Sequence, residues 1–587
     1  MRCLSSTPAA LLGFAGVAVS EQDIVTVPPG YTATVLYAWG DPVSNGPAFA
    51  VDASNDWQEQ EKQAGMHHDA IEFFPLPSSP VGPMRGLLAI NHEYVDNGLL
   101  HTDGSANWTA EKVKKAQAAH GVSVIEVSRR ANGEWSVVRP SNYARRITAY
   151  TPMRIAGPAA GHDLLTTADD PAGMRVLGTF NNCAGGQTPW GTYLTCEENF
   201  NNYFANKGTV PASQARYGIA STSEYRWEAF DGRFDAAAHP NEPNRFGWVV
   251  EIDPFDPQST PVKRTALGRV KHEGATVTRA SDGRAVVYMG DDERFECIYK
   301  FVSRDRYQPG NAAANRDLLD NGTLYVARFD NDGRGAWIEL THGRNGLDEA
   351  AGFRNQADVL VNTRQAAERV GATKMDRPEW ITVNPLNGEV ACSLTNNSQR
   401  GDVGRAATDS ANPRKTNVYG HIVRWREAGD AAATTFSWDI FVLAGDPRAT
   451  AEANRGNIKG DVFGSPDGLR YDARGALWIQ TDISTSALYK TDYVNIGNNQ
   501  MLSADPTTGD IRRFLTGPRL CELTGIAFTP DGKTMFVNIQ HPGEPPAGES
   551  DFKNPKGLSS WPDGPGGGRP RSATLVITKN DGGVIGT

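Results

Sequence analysis

Six times along its 587 residues the chain repeats one unit: a short apolar strand, a turn built on Gly, Asp or Pro, a second strand and a polar end. The first is HHDAIEFFPL (67–76) followed by RGLLAINHEY (85–94). The second joins GHDLLTT (161–167) to GTFNNCAGGQTPWGTYLTCEENFNNYF (178–204). The others are HEGATVTRASDGRAVVYMGDDE (272–293), PEWITVNPLNGEVACSLTNN (378–397), SPDGLRYDARGALWIQTD (465–482) and CELTGIAFTPDGKTMFVNIQHP (521–542). Runs of aromatic and β-branched residues bounded by turn residues read as strands, and the NG, DG and GG pairs are hairpin signals. The spacing is too wide and irregular for a short solenoid unit. Six units with long variable connections predict an all-β, six-bladed β-propeller. Strands at 247–254, 421–427, 435–445 and 573–579 can complete blades. Insertions interrupt the pattern: a helical, Lys-rich stretch at 108–120, a polar one at 202–244, a helical one at 348–368 and a Pro/Gly-rich one at 542–571. Long ordered insertions on one face of a scaffold serve as lids or site walls.

Charge narrows the partners. The balance is 58 Lys+Arg against 68 Asp+Glu, a net charge of −10 with no basic run, which argues against nucleic acid. No apolar run approaches the ~20 residues of a membrane span. Residues 11–19 (LLGFAGVAV) have the length of a signal h-region and one preceding Arg, but no twin arginine. Residues 1–26 therefore read as an N-terminal segment, either a signal or trimmed leader or an ordinary first segment. Residues 27–587 read as a single propeller domain. The six cysteines, Cys3, Cys183, Cys196, Cys297, Cys392 and Cys521, form no C-x-x-C. They are too sparse for a disulfide scaffold, though one or two bridges would fit an exported protein.

In a propeller the strand nearest the axis carries side chains into the central channel. A hairpin then returns the second strand to the same mouth. The repeat thus predicts pairs at one mouth: Asp69 with Glu93, Asp163 with Glu198, Glu273 with Asp292, Glu379 with Asn396, Asp467 with Asp482, and Glu522 with His541. Any one of these acids could be a strand-end hydrogen-bonding group, and Cys183 taken alone could be a buried structural thiol. The recurrence of the same residue class at the same place carries the inference. Two like charges ~4 Å apart cost several kcal/mol at an effective dielectric near 20, so such a ring calls for raised pKa values or for cations. Many carboxylate oxygens suit calcium. A thiolate at Cys183 favours a transition metal such as iron or zinc beside them. Arg377, two residues before Glu379, is a candidate anion clamp.

With these residues in place, the chain resembles the PhoX-type alkaline phosphatases, a family of exported bacterial phosphatases. The likeness runs from about residue 27 to about residue 542. It rests on AWGDPVSNGPAF, LAINHEYVD, NNCAGGQTPWGTYLTCEENFNNYF, RVKHEGATV, YMGDDERFECIYKFVS, MDRPEW and FGSPDGL. It implies an axial site with two ferric ions, bridged in part by a cysteine, and two or three calcium ions. The iron ligands it implies are Cys183, Glu273, Asp292 and Glu379. Arg377 would contact the phosphate. Glu197, Glu198, Asn199 and Asp467 match calcium ligands, and the repeat extends this set to Glu93 and Asp482. The implied catalytic set is Arg377, Cys183, Glu273 and Glu379. The implied activity is hydrolysis of small-molecule phosphate monoesters by a monomer, in the periplasm or outside the cell. Members usually carry a twin-arginine leader, which is not seen here. Two rivals stand beside this reading: a calcium-dependent propeller hydrolase of the lactonase type, which needs no cysteine ligand, and a non-catalytic binding platform.

Overall fold

The computed structural model describes residues 10–77 and 84–587. Cys3 and Arg2, which bear on the cysteine and leader readings, lie outside the described residues. Six blades surround one axis, antiparallel except for one parallel outer pairing each in blades 2 and 5. Their inner strands are His68–Pro75, Asn182–Gln187, His272–Arg279, Pro378–Val383, Pro466–Tyr471 and Glu522–Phe528. Each inner strand packs against the next, and the sixth packs against the first, so the ring is closed. The second strands, in order, are Arg85–His92, Tyr193–Glu197, Arg284–Asp291, Val390–Leu394, Leu477–Thr481 and Thr534–Gln540. Blade 6 closes the circle by pairing the two ends of the chain. Its outermost strand is the N-terminal Tyr31–Ala38, paired antiparallel with the C-terminal Ala573–Lys579.

Each blade is a sheet buried on both faces, and the sequence shows why. Along the second strand of blade 3, Val286 and Tyr288 face blade 4, while Val287 and Met289 face blade 2. Successive side chains point to opposite faces, so a strand apolar at every position feeds two junctions at once. Six apolar clusters result, one at each junction between neighbouring blades. Burial at about 25 cal/mol per Å² of apolar surface makes these junctions the main stabilising term.

The expected second unit is displaced. Residues 161–167 hold only a short 3-10 turn, Asp163–Leu165. The blade 2 hairpin lies wholly within 178–204, with Asn182–Gln187 as its inner strand. Blade 2 grows outward through Val249–Ile252 and Val262–Arg264 to Pro152–Ala156 and Arg175–Leu177. The strands expected at 421–427, 435–445 and 573–579 complete blades 4 and 6. Blades 3 and 4 are joined further by an extra strand, Arg334–Glu339, which pairs with Thr435–Leu443. The helical insertions are present as Ala110–Ala118, capped by Thr109, and as Gln356–Val361 and Thr363–Arg369. Residues 11–19 form neither helix nor strand, and Leu12 and Phe14 are buried at the junction of blades 5 and 6.

Inner strands approach so closely that only glycine fits at some contacts. A Cβ on Gly186 of blade 2 would run into the carbonyl oxygen of Ala275 in blade 3. Gly186→Ala should therefore cost about 1–3 kcal/mol through forced separation of the two strands. Gly566→Ala, where a Cβ meets nothing within 4 Å, should cost almost none. Urea midpoints of the two variants test this; equal midpoints would show that blade spacing is not set there.

Candidate metal centre at one mouth of the channel

One local design recurs at the entry to the inner strands. In five blades a residue with positive φ stands two residues before Asp69, Cys183, Glu379, Asp467 or Glu522: His67 (47°), Asn181 (49°), Arg377 (58°), Ser465 (50°) and Leu520 (55°). None is glycine, and each costs roughly 1–2 kcal/mol in that region. Backbone hydrogen bonds hold several of them. The N–H groups of Glu93, Glu198, Thr395 and Asp482 donate to the carbonyls of His67, Asn181, Arg377 and Ser465 at 3.1, 2.9, 3.2 and 3.0 Å. In blade 3 the Asp292 N–H donates to Lys271 at 3.0 Å without the unusual φ. In blades 1 to 5 the exit of the second strand is thereby stitched to the entry of its own inner strand. A one-residue β-bulge follows in the blades, at Asp69-Ala70, Glu379-Trp380 and Asp467-Gly468 among others. Bulges break the alternation and re-aim side chains.

The stitched turns bring two tiers of side chains to the axis. Asp69, Cys183, Glu273, Glu379, Asp467 and Glu522 stand at equivalent places near the starts of the inner strands, all buried. Glu93, Glu198, Asp292, Asp482 and His541 directly follow the second strands. Four groups have donor atoms within 4.8 Å of one another and could hold cations: Asp69–Glu93–Cys183, Cys183–Glu198–Glu273, Glu273–Glu379–Asp467, and Asp482–Glu522–His541. Cys183 belongs to two groups and so does Glu273, and their Sγ and Oε1 lie 2.9 Å apart. Glu273 Oε2 and Asp467 Oδ1 are buried acceptors with no hydrogen-bond partner. Orphaned carboxylate oxygens fit cations better than they fit any donor the chain supplies. The residues open onto a cavity of about 290 Å³.

Electrostatics agree with the crowding. Burial, then neighbouring carboxylates, pushes Glu93, Glu198, Glu273, Glu379, Asp467 and Glu522 well above the usual carboxylate range. Burial moves Asp69 up to about 6. Burial and then Asp69 and Glu273 raise the Cys183 thiol. Lys271 and Arg377 oppose this rise at Glu198. Arg377 forms a bidentate pair with Asp292, Nε–Oδ1 2.9 Å and Nη2–Oδ2 2.8 Å, and reaches Glu379 at 3.2 Å. Asp292 and then Glu379 hold its guanidinium charged despite burial that opposes it. Behind it, Arg364 clamps Asp291 at 2.5 and 2.8 Å and binds Glu293 at 2.8 Å, which bonds Lys271 at 3.1 Å. That network fixes the backbone on either side of Asp292.

Of the residues expected from sequence, Cys183, Glu198, Asn199, Glu273, Asp292, Arg377, Glu379, Asp467, Glu93 and Asp482 line the cavity. Glu197 does not. It points to the other face of its strand, where Lys263 binds it at 2.6 Å and the Gly247 and Trp248 N–H groups donate to it at 3.0 and 3.1 Å. Adjacent strand residues face opposite ways, so only one of Glu197 and Glu198 could reach the axis. Asp163 is also away from the site. Its side chain is 62% exposed and pairs with Arg354 at 2.9 Å. Its expected place is taken by Cys183. Asn396 faces Arg377, 3.4 Å from Nη1. Wall residues without a sequence signal include Ser484, Thr485 and Gln540, and Tyr94, whose hydroxyl donates at 2.5 Å to Glu544 on the insertion within blade 6. All five described cysteines are free and buried, so no disulfide occurs among the described residues.

A family profile described as alkaline phosphatase PhoX matches residues 12–543. The solved structure of Pseudomonas fluorescens PhoX in complex with vanadate, a transition state analogue, is similar at 51% identity and TM-score 0.93, over 98% of this chain and 100% of that one. A Dyadobacter fermentans protein of unknown function aligns over 94% of this chain and 100% of its own, at 9% identity and TM-score 0.37. A Xanthomonas campestris gluconolactonase aligns over 86% and 97%, at 10% identity and TM-score 0.26. Neither of these last two likenesses carries an argument. No curated protein matches the chain.

Raised carboxyls make the stripped site a pH-dependent liability. An acid whose folded pKa lies above its unfolded value destabilises the fold once ionised, and the cost builds as pH rises between the two values. For Asp69 that window runs from 3.8 to about 6; its neighbours shift the same way. Chelator-stripped protein should therefore lose stability as pH rises through this window, and added Ca²⁺ should flatten the dependence. Urea midpoints against pH check it. A stripped protein equally stable across the window would refute the account.

Proposed function

The chain belongs to the PhoX family of alkaline phosphatases, hydrolases of phosphate monoesters, and on that premise we propose that its axial ring holds two ferric ions and two or three calcium ions. The observation that carries the proposal is the sharing of Cys183 and Glu273 between adjoining ligand groups. Shared donors tie single sites into one linked cluster. Cys183 is the soft donor and directs iron to its end of the ring, with Glu273, Glu379 and Asp292 as companions. Glu198, Asn199, Asp467, Glu93 and Asp482 offer hard oxygens suited to calcium. A lactonase-type hydrolase using calcium alone has no need of a thiol shared by two groups.

When bound, the cations supply Lewis acidity for the phosphoryl oxygens and activate the attacking oxygen. The chain itself supplies positioning. Arg377 is the cation with a fork of donors exposed to the cavity, its side chain 26% accessible. It can turn Nη donors toward the equatorial phosphoryl oxygens while Nε keeps Asp292, which preserves its aim and neutralises charge as it develops. The left-handed backbone at Arg377 places this side chain two residues from Glu379, on the same wall. The similar Pseudomonas protein was solved with vanadate; a phosphoryl group in this chain would occupy the cavity facing Arg377. The thiol proton of Cys183 and the protons of the raised carboxyls leave when the cations enter.

Residues 27–587 would act as one propeller domain, in keeping with the closed ring of blades. The same closure favours a monomer, since sealed blades leave few edges to pair. No helix among the described residues is long and apolar enough to cross a membrane. The periplasm or the cell exterior is the compartment the family suggests.

Elemental analysis of the purified protein, beside an assay with p-nitrophenyl phosphate, tests the reading. Iron and calcium should both be present. Cys183→Ala should lose iron and activity with its fold intact, and Arg377→Ala should lower kcat by about 10²–10³-fold while the metals stay. Wild-type protein carrying neither metal, and gaining no activity on their addition, would sink the proposal.

A further inference from the structure

Two cavities share the propeller axis. The cation-side cavity is lined by Cys183, Glu273, Glu379 and Asp467. A second cavity, of about 640 Å³, opens at the other mouth and is lined on the same four strands by Gly185, Thr276, Trp380 and Leu469. Between the two linings lie Ala184 in blade 2, Gly274 and Ala275 in blade 3, no residue in blade 4, and Gly468 in blade 5. At about 3.3 Å of rise per residue, the partition is about one side-chain layer thick.

The residues that follow the ring positions build this partition: Ala70, Ala184, Gly274, Trp380, Gly468 and Leu523. Leu523 is drawn off into the junction of blades 5 and 6. The remaining five are two alanines, two glycines and one tryptophan. Trp380 is 6% exposed and belongs with Ala70, Ala184 and Leu469 to one apolar cluster, which joins blades on opposite sides of the axis. Methyl groups and hydrogens leave a hole, and only the indole has the volume to fill it. Its buried N–H has no hydrogen-bond partner, so volume rather than polar bonding accounts for its place. Small neighbours also fit this role, since a larger side chain at 184 or 274 would compete for the same space. A hypothetical Cβ on Gly274 already lies 3.9 Å from Trp380 Cα and 4.0 Å from Ala184 Cβ.

We propose that Trp380 is a stopper that seals the cation cluster from the opposite mouth, so that ions, phosphate and water exchange only through the mouth walled by the insertions. This rests on the cations being held as proposed above. Without the indole, water from the second cavity would reach the orphaned Glu273 Oε2 and Asp467 Oδ1, which lie directly above the partition. Trp380 is thus a confining residue for a reaction it does not touch.

The test follows release of iron and calcium from the metal-loaded full chain into EDTA, read by elemental analysis of desalted samples, with circular dichroism confirming the fold at each time point. Trp380→Leu should release cations at least tenfold faster than wild type. Trp380→Phe, which keeps most of the ring volume, should release them at close to the wild-type rate. Adding Thr278→Trp in the wall of the second cavity should slow the leak of Trp380→Leu. Trp380→Met takes its place if the leucine variant does not hold its fold. A folded variant with wild-type release overturns the stopper alone. Wild-type protein that binds no cation overturns the metal reading, and the stopper with it.

Discussion

Ring closure forces carboxylates together. Six inner strands complete a circle, and each delivers an acid or a thiol to the same axis. Two such charges about 4 Å apart repel by roughly 4 kcal/mol at an effective dielectric of 20. Apolar junctions between blades hold the circle shut against that repulsion. The clasp of Tyr31–Ala38 on Ala573–Lys579 keeps it from opening at the one place where the chain could unzip. Cations that neutralised the ring would stabilise the folded state and no other.

Fine geometry comes from a small backbone device used repeatedly. Left-handed residues ahead of the inner strands, carbonyl stitches to the second strands, and bulges just beyond them act together. Each alone is mildly unfavourable or neutral. Together they turn a generic hairpin into a mount for two axial side chains. Blade 2 modifies the device by placing Cys183 where its neighbours have acids, and blade 4 by placing Arg377 on the left-handed residue itself. One scaffold therefore brings a thiol, several carboxylates and a guanidinium into a single cavity. The insertions supply the walls. Trp108 from the blade 1 insertion donates to the Arg226 carbonyl of the blade 2 insertion at 3.1 Å, and Ser105 bonds Glu549 of the blade 6 insertion at 2.7 Å.

Reading along the chain reaches most of this because the repeat is local. Strand, turn and polar end lie within about twenty residues, so residues such as Glu273 and Asp292 announce themselves as a pair. It falters at Asp163, where an acid before an apolar run mimics the repeat although residues 161–167 form only a turn. It falters again at Glu197, whose neighbour Glu198 takes the axial direction. The alternation of strand side chains was enough to separate those two, given the strand at 193–197. Tyr94 and Glu544 lay beyond reach, because 450 residues separate them and no repeat links them.

Composition and periodicity alone established an all-β ring of six units and the chemical character of its axis, since both follow from patterns within single hairpins. Which blade neighbours which, which of two adjacent carboxylates faces the channel, how Cys183 and Glu273 come together, and how Trp380 meets Ala70 and Ala184 all waited on the closed ring. Those features depend on distances between residues far apart in the chain, and a hairpin pattern holds no information about such distances until packing sets them.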